Sequence, residues 1–134
     1  MHRRLSLIDR MLIFSVMALI PVSVPAVVYV DAGNTKGPWD GKAWSTSFNT
    51  VQQGIDAAEN AGGVEVWVAE GTYKPASGID RSVSFRLKPG VDLYGGFNGR
   101  ETERHQRDWV TNVTILSGDI GRPGDNTDNV YHVV

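Results

Sequence analysis

The residues best suited to chemistry lie in a polar loop near the C-terminal end of the sequence. The loop Gly118–Asn129 contains three aspartates, Asp119, Asp125 and Asp128. Carboxylate oxygens within a glycine-containing loop are the ligands that Ca²⁺ takes, so these three are candidate calcium ligands. Their spacing does not match the helix–loop–helix calcium motif, and Asp, Asn and Gly are also ordinary turn residues. The sequence therefore predicts no metal or cofactor, with calcium at these aspartates as the alternative.

Two carboxylates that flank one substrate atom are the minimum that a glycoside hydrolase requires. The sequence does not show that any two of these aspartates converge in this way. It contains no His-Glu-x-x-His motif, no Gly-x-Ser-x-Gly elbow and no cysteine, which excludes disulfides and a thiolate nucleophile. The catalytic residues remain unknown, and the sequence favours a protein that is not an enzyme.

Aromatic residues in predicted strands are candidates for stacking on sugar rings. Trp67 and Tyr94 alternate with apolar residues in two such strands, so we expect both rings to point outward. Exposed aromatic rings suit carbohydrate, whereas the same rings beneath a loop would be structural. The sequence therefore predicts a carbohydrate-binding surface at Trp67 and Tyr94, with packing as the alternative.

The segment Arg100–Asp108 contains arginines and glutamates but no aliphatic residue. Its arginines are suited to an acidic polysaccharide. The mixed signs favour a solvated loop whose charges pair with one another. We therefore interpret this segment as a surface loop.

Three similar stretches organise the second half of the chain. They are Val64–Tyr73, Val91–Gly96 and Val113–Gly118. When their glycines are overlaid, Val66 falls on Val91 and on Val113. A repeat of about 20 to 50 residues is typical of a solenoid, whose units bury a shared core by stacking. We therefore predict an all-β right-handed parallel β-helix, with residues 64–134 as its first, incomplete coils and self-association through the uncapped C-terminal end.

An amphipathic helix is predicted ahead of the repeat. Four apolar residues follow the spacing of one helix face: Phe48, Val51, Ile55 and Ala58. Ser45–Ser47 supplies candidate N-caps, and Gly62-Gly63 ends the helix. We predict residues 27–63 as an N-terminal cap whose helix covers the open end of the first coil.

The N-terminal residues have the three-part pattern of a secretory signal peptide. Three arginines precede the apolar run Met11–Ile20, and Val24–Ala26 offers a cleavage site. The run of 10 residues is half the length of about 20 that a membrane span needs. We therefore predict residues 1–26 as a signal peptide and an exported protein without a membrane span after cleavage, with an uncleaved signal anchor as the alternative. The net charge of −2 argues against a nucleic-acid partner.

An ordered set of motifs extends over roughly residues 28 to 134. The motifs are Tyr29–Asp31, Trp44, Phe48–Ala58, Val66–Tyr73, Pro89–Phe97, Gln106–Trp109 and Thr114–Ile120. This set resembles the start of exported bacterial right-handed parallel β-helix proteins of the pectin-lyase-like superfamily. The resemblance implies a solenoid that is secreted or on the cell surface. Because this chain has no catalytic motif, we interpret it as a non-catalytic protein that is structural or binds a polysaccharide or another envelope component. The alternative is a polysaccharide lyase or glycoside hydrolase whose active site lies on coils absent from this chain, so no catalytic residue is carried over.

Overall fold

The computed structural model of the chain describes residues 26–134, which form five short β-strands and one α-helix. In chain order these are β1 (Val28–Val30), α1 (Val51–Asn60), β2 (Glu65–Ala69), β3 (Gly71–Tyr73), β4 (Asp92–Phe97) and β5 (Thr114–Leu116). The predicted signal peptide, residues 1–26, lies outside the described residues except for Ala26. Within residues 26–134, no helix has the length and apolar content that crossing a membrane requires.

The strands form two small parallel sheets. In the first sheet, which has the order β1-β2-β4, Val66 lies opposite Val28 on one side and Leu93 on the other. In the second sheet, β3 pairs with β5 and Gly71 lies opposite Thr114. Gly71 stands where the chain passes from the first sheet to the second, and its φ of 145° is one that glycine adopts without steric cost.

The predicted all-β right-handed parallel β-helix is wrong for the part of the chain that the structure describes. That part has two small open sheets and one helix, and neither sheet closes or coils into a solenoid. The overlay of the three stretches placed Val66 opposite Val91 and Val113 in one sheet. Val66 instead pairs with Leu93, and the third stretch belongs to the second sheet.

Glycines near the end of β4 explain why the third stretch does not join the first sheet. A Cβ on Gly95 would lie 2.7 Å from the Cβ of Thr114, so the missing side chain makes room for that threonine. The hydroxyl of Thr114 also accepts a hydrogen bond from the amide of Gly96 at 3.0 Å. These contacts place the start of β5 over the end of β4, where β5 pairs with β3.

The predicted amphipathic helix is present as α1. Its predicted role as the cap of the first coil is wrong, because the described residues form no β-helix. Val51, Ile55 and Ala58 are fully buried, and α1 packs with them against β1 and β2. The core of this layer also contains valines of both strands and Phe85. Burial of this apolar face, rather than helix propensity, is what holds a helix of this length in place.

The predicted N-cap of the helix is wrong. The hydroxyl of Thr50, not of a residue in Ser45–Ser47, accepts a hydrogen bond from the amide of Gln53 at 3.4 Å. Phe48 lies beside β1 and pairs with Val30 as an isolated parallel bridge. Because the chain is extended at Phe48, the helix begins after it.

In the sequence, the alternation of Val83, Phe85 and Leu87 also predicts a strand over Ser82–Leu87. The described residues form no strand there. Phe85 is buried, as its apolar alternation suggests, and its amide donates to the carbonyl of Val133 at 2.8 Å. Leu87, which the same alternation places inward, is 56% exposed. This backbone bond and the side chain of Gln52, which binds the amide and the carbonyl of Arg86, hold the segment without making it part of a ladder.

Candidate functional site

A cluster of aromatic rings covers the face of the first sheet opposite α1. Trp67 on β2 stacks on Phe97, with ring centroids 4.8 Å apart and ring planes at 8°. The ring of Tyr29 stands edge-on to Trp67 at 5.7 Å and to Trp44 at 4.8 Å. Trp67 is 4% exposed, so it offers no open ring face, and the packing alternative describes its position. The alternation predicts an outward orientation for Trp67, but it does not show which rings cover that face.

The loop that follows β4 closes over this cluster. The indole N–H of Trp44 donates to the carbonyl of Glu101 at 2.8 Å. The carboxylate of Glu101, a residue 8% exposed, accepts hydrogen bonds from three successive amides of the loop: Asn98, Gly99 and Arg100, at 2.7, 3.1 and 3.1 Å. Charge-assisted bonds of this kind satisfy a buried carboxylate without a cation. The sequence signal that could have indicated Glu101 is a carboxylate two residues after an Asn-Gly turn.

A groove of about 570 Å³ lies beside the aromatic cluster. Its apolar lining comes from Val27, Tyr29 and Trp67. Its polar lining comes from Lys42, Glu65, Thr102, Glu103 and Arg104. The groove therefore combines ring edges with charged hydrogen-bonding groups of both signs.

Glu65 and Arg104 connect Trp67 with Tyr94, the two residues that the sequence predicts for carbohydrate binding. The carboxylate of Glu65 accepts a hydrogen bond from the indole N–H of Trp67 at 2.8 Å and pairs through its other oxygen with the guanidinium of Arg104. Arg104 also donates to the hydroxyl of Tyr94 at 3.0 Å, and its Cζ lies 4.7 Å from the ring centroid. Sequence reasoning missed this pair because Glu65 and Arg104 are 39 residues apart.

Arg107 extends this surface, because it also lies over the ring of Tyr94. Its Cζ lies 5.2 Å from the ring centroid of Tyr94 and 5.0 Å from that of Trp109. Arg107 donates to the carbonyl of Gly95 at 3.3 Å, and Trp109 is 66% exposed. We call the succession of Arg104, Tyr94, Arg107 and Trp109 the arginine–aromatic row. Two of the loop's arginines, Arg104 and Arg107, thus contact Glu65 and the rings of Tyr94 and Trp109 rather than the glutamates of their own loop.

Two of the three candidate calcium ligands hold the backbone of their own loop. Asp119 accepts a hydrogen bond from the amide of Gly124 at 2.9 Å, and Asp128 accepts one from the amide of Arg122 at 2.8 Å. The Oδ1 atoms of both aspartates and of Asn129 are buried and have no hydrogen-bond partner among the described residues. The hydrogen bonds to the loop amides agree with the alternative that Asp119 and Asp128 are ordinary turn residues.

Asp125, the third candidate, is a surface turn residue. It accepts hydrogen bonds from the hydroxyl and the amide of Thr127 at 2.6 and 2.9 Å. These bonds, the hydroxyl first, lower the pKa of the Asp125 carboxyl below its usual value. Over residues 26–134, no three His, Asp or Glu side chains form a group that could hold a metal ion. Calcium at this loop stays a prediction.

Comparison with protein-family models, with curated proteins and with solved structures found no match to this chain. The resemblance to the pectin-lyase-like superfamily therefore stays a prediction. What the described residues define is a class of site: a mixed aromatic and charged groove bordered by an arginine–aromatic row, on a pair of small parallel sheets.

Proposed function

We propose that this chain is an exported, non-catalytic carbohydrate-binding protein of the cell surface or the secreted fraction. The glycan binds in the groove beside Trp67 and against the arginine–aromatic row. The observation that supports the proposal is the Glu65–Arg104–Tyr94 network, which presents a carboxylate, a guanidinium and an aromatic ring side by side.

The chemistry of this surface matches the two kinds of surface on a sugar. Apolar C–H groups of a sugar ring pack on aromatic faces such as that of Trp109, which is 66% exposed. Sugar hydroxyl groups take part in directional hydrogen bonds with carboxylate and guanidinium groups, which are strong when one partner is charged. The groove volume of about 570 Å³ lies within the range of small-ligand sites.

The proposed location is supported by the sequence. Residues 1–26 have the pattern of a signal peptide, which directs a protein to export. The ligands available to an exported protein include polysaccharides and other envelope components. The net charge of −2 and the lack of a basic run after the N-terminus speak against nucleic acid as the ligand.

Binding has more support than cleavage because the two carboxylates that line the groove are already engaged. Glu65 is shared between Trp67 and Arg104, and Glu103 lies 3.1 Å from the imidazole of His105. A glycoside hydrolase needs one carboxyl to give a proton to the leaving oxygen and a second carboxylate to act on the opposite side. Both carboxylates of this groove instead hold neighbouring side chains in position.

The test is binding of the full chain to immobilised xylan, polygalacturonate and purified peptidoglycan, followed by calorimetry with the polysaccharide that binds. We expect Tyr94→Ala to weaken binding about tenfold, because the Tyr94 ring holds the guanidinium groups of Arg104 and Arg107 in the row. Arg104→Ala should weaken it at least as much, because it removes a groove residue and releases Glu65.

Arg100→Ala is the matched control, since Arg100 is an exposed arginine of the same loop that does not line the groove. It should bind as the unaltered chain does. Failure of the unaltered chain to bind any of the three polysaccharides, or equal binding by all variants, would contradict the proposal.

A further inference from the structure

The β1 edge of the first sheet is covered by the chain itself. On β1, the amide of Tyr29 donates to the carbonyl of Gly41 at 2.9 Å, and the carbonyl of Tyr29 accepts from the amide of Phe48 at 3.0 Å. The amide of Asp31 donates to the carbonyl of Phe48 at 2.8 Å. An extended segment thus protects β1 from pairing with another strand.

The outer edge of the second sheet differs. β5 pairs with β3 through the backbone groups of Val113, Ile115 and Ser117, so those of Thr114 and Leu116 point away from β3. Among residues 26–134, the amides and carbonyls of Thr114 and Leu116 have no backbone partner. β5 therefore presents an open edge.

β5 is only three residues long, but its open edge lacks the charged residues and prolines by which proteins also block strand pairing. Val110 is 77% exposed, Val113 50% and Ile115 47%. The segment Val110–Gly118 contains no charged residue and no proline. Edge strands that stay unpaired commonly carry lysine, proline or a bulge, and this strand carries neither a charge nor a proline.

We propose that a second copy of this chain covers this edge, with the two β5 strands antiparallel about a two-fold axis at Ile115. In that arrangement Thr114 faces the partner's Leu116, and each such pair exchanges both of its N–H···O bonds, which is what the outward-pointing groups require. Ile115 faces the partner's Ile115 in the intervening pair without hydrogen bonds, where side chains approach closely.

Two features favour a second copy over a partner of another kind. A two-fold interface sets each residue against its own symmetry mate, so a charge near the axis would face a like charge. The uncharged segment Val110–Gly118 meets this condition. In addition, a two-stranded sheet is marginal in water, and pairing through β5 joins two of them into a sheet of four strands.

The experiment compares the full chain with Ile115→Lys by sedimentation equilibrium across the micromolar concentration range. We expect the unaltered chain to be a dimer, and the variant to have a dissociation constant at least about tenfold higher, because two ammonium groups would face each other at the axis. Ile79→Lys is the matched control, since Ile79 is 85% exposed and lies in the bend that follows β3, outside β5. It should dimerise normally.

Hydrogen exchange locates the interface independently of the mutations. The amides of Thr114 and Leu116 should gain protection as the concentration of the unaltered chain rises, and Ile115→Lys should abolish that gain while its far-UV spectrum stays unchanged. A chain that is monomeric throughout, a dimer that Ile115→Lys does not weaken, or protection that does not depend on concentration would each overturn the proposal.

Discussion

Gly54 of α1 lies directly against Val30 of β1, because a Cβ at position 54 would overlap with the side chain of Val30 and lie 3.2 Å from Val66. The glycine therefore sets how closely the helix approaches the first sheet. It also explains why a residue of poor helix propensity stands inside α1.

Gly54→Ala is expected to destabilise the protein. In an exposed helix position, alanine would be favoured over glycine by about 1 kcal/mol. Here the added methyl group must displace buried valines, which costs about 1 to 3 kcal/mol and outweighs the propensity gain. Urea denaturation measures the difference. Asn60→Ala, at the exposed end of the same helix, should change the free energy of unfolding by less than about 0.5 kcal/mol, and a Gly54→Ala variant more stable than the unaltered chain would refute the close approach.

Phe97→Ala should both destabilise the protein and uncover Trp67. Removing a fully buried phenylalanine costs about 3 to 5 kcal/mol, since the cavity closes only in part. Loss of the ring that stacks on Trp67 should shift the tryptophan fluorescence to longer wavelength. Ile79→Ala, at a side chain 85% exposed, is the control and should leave both quantities unchanged. An unshifted spectrum in Phe97→Ala would mean that Phe97 does not shield Trp67.

Tyr73 should make the stability of the protein depend on alkaline pH. Burial is the main cause that raises the pKa of Tyr73 from 10.0 to about 12. Because the folded protein keeps a proton that the unfolded chain releases above pH 10, this contribution is complete below pH 10. It is lost as the pH rises towards about 12, and its full size is about 2 to 3 kcal/mol.

Tyr73→Phe tests this dependence. The hydroxyl donates to the carbonyl of Ala69 at 3.0 Å and accepts from the amide of Ala32 at 3.2 Å. The variant should lose about 1 kcal/mol near pH 8, and its free energy of unfolding should fall less steeply above pH 10. Tyr131→Phe, whose side chain is 65% exposed, should retain the full pH dependence. Parallel pH profiles for Tyr73→Phe and the unaltered chain would contradict the assignment.

Asp108 should contribute to stability at the acidic end. Hydrogen bonds from the amide and hydroxyl of Thr111 and the amide of Val110 hold the pKa of its carboxyl below the usual 3.8. A lowered pKa stabilises the fold above the unfolded value and loses that effect as the pH falls through the folded value. We expect Asp108→Asn to lower Tm at pH 6 and to flatten the Tm profile below about pH 4. Equal slopes in the two proteins would show that Asp108 has no such role.

Local patterns predicted the helix well and its beginning poorly. The spacing of Val51, Ile55 and Ala58 identifies the buried face of α1, because periodicity in apolar residues reports which side of a helix meets a core. The N-cap could not be placed in this way, since Ser45–Ser47 and Thr50 are equally suited to capping. The choice depends on Phe48, which β1 holds in an extended conformation.

The candidate site was likewise predicted only in part from local patterns. Alternation indicated that Trp67 points away from α1, but not that Phe97 covers its ring. Composition led us to expect that the charges of the loop pair with one another, whereas Arg104 reaches Glu65 and Tyr94 outside the loop. Each missing fact is a contact between residues far apart in the chain, which no local pattern encodes.

By itself the sequence determined the amphipathic face of α1, the strand character of Val64–Ala69 and the signal-peptide pattern, because these depend on neighbouring residues alone. Only the tertiary structure decided that β5 pairs with β3. That pairing depends on the space beside Gly95 that Thr114 fills, and on the turn at Gly71 between the sheets. A repeat in the sequence specifies similar strands. The sheet that each strand joins depends on whether the neighbouring strands leave room for its side chains.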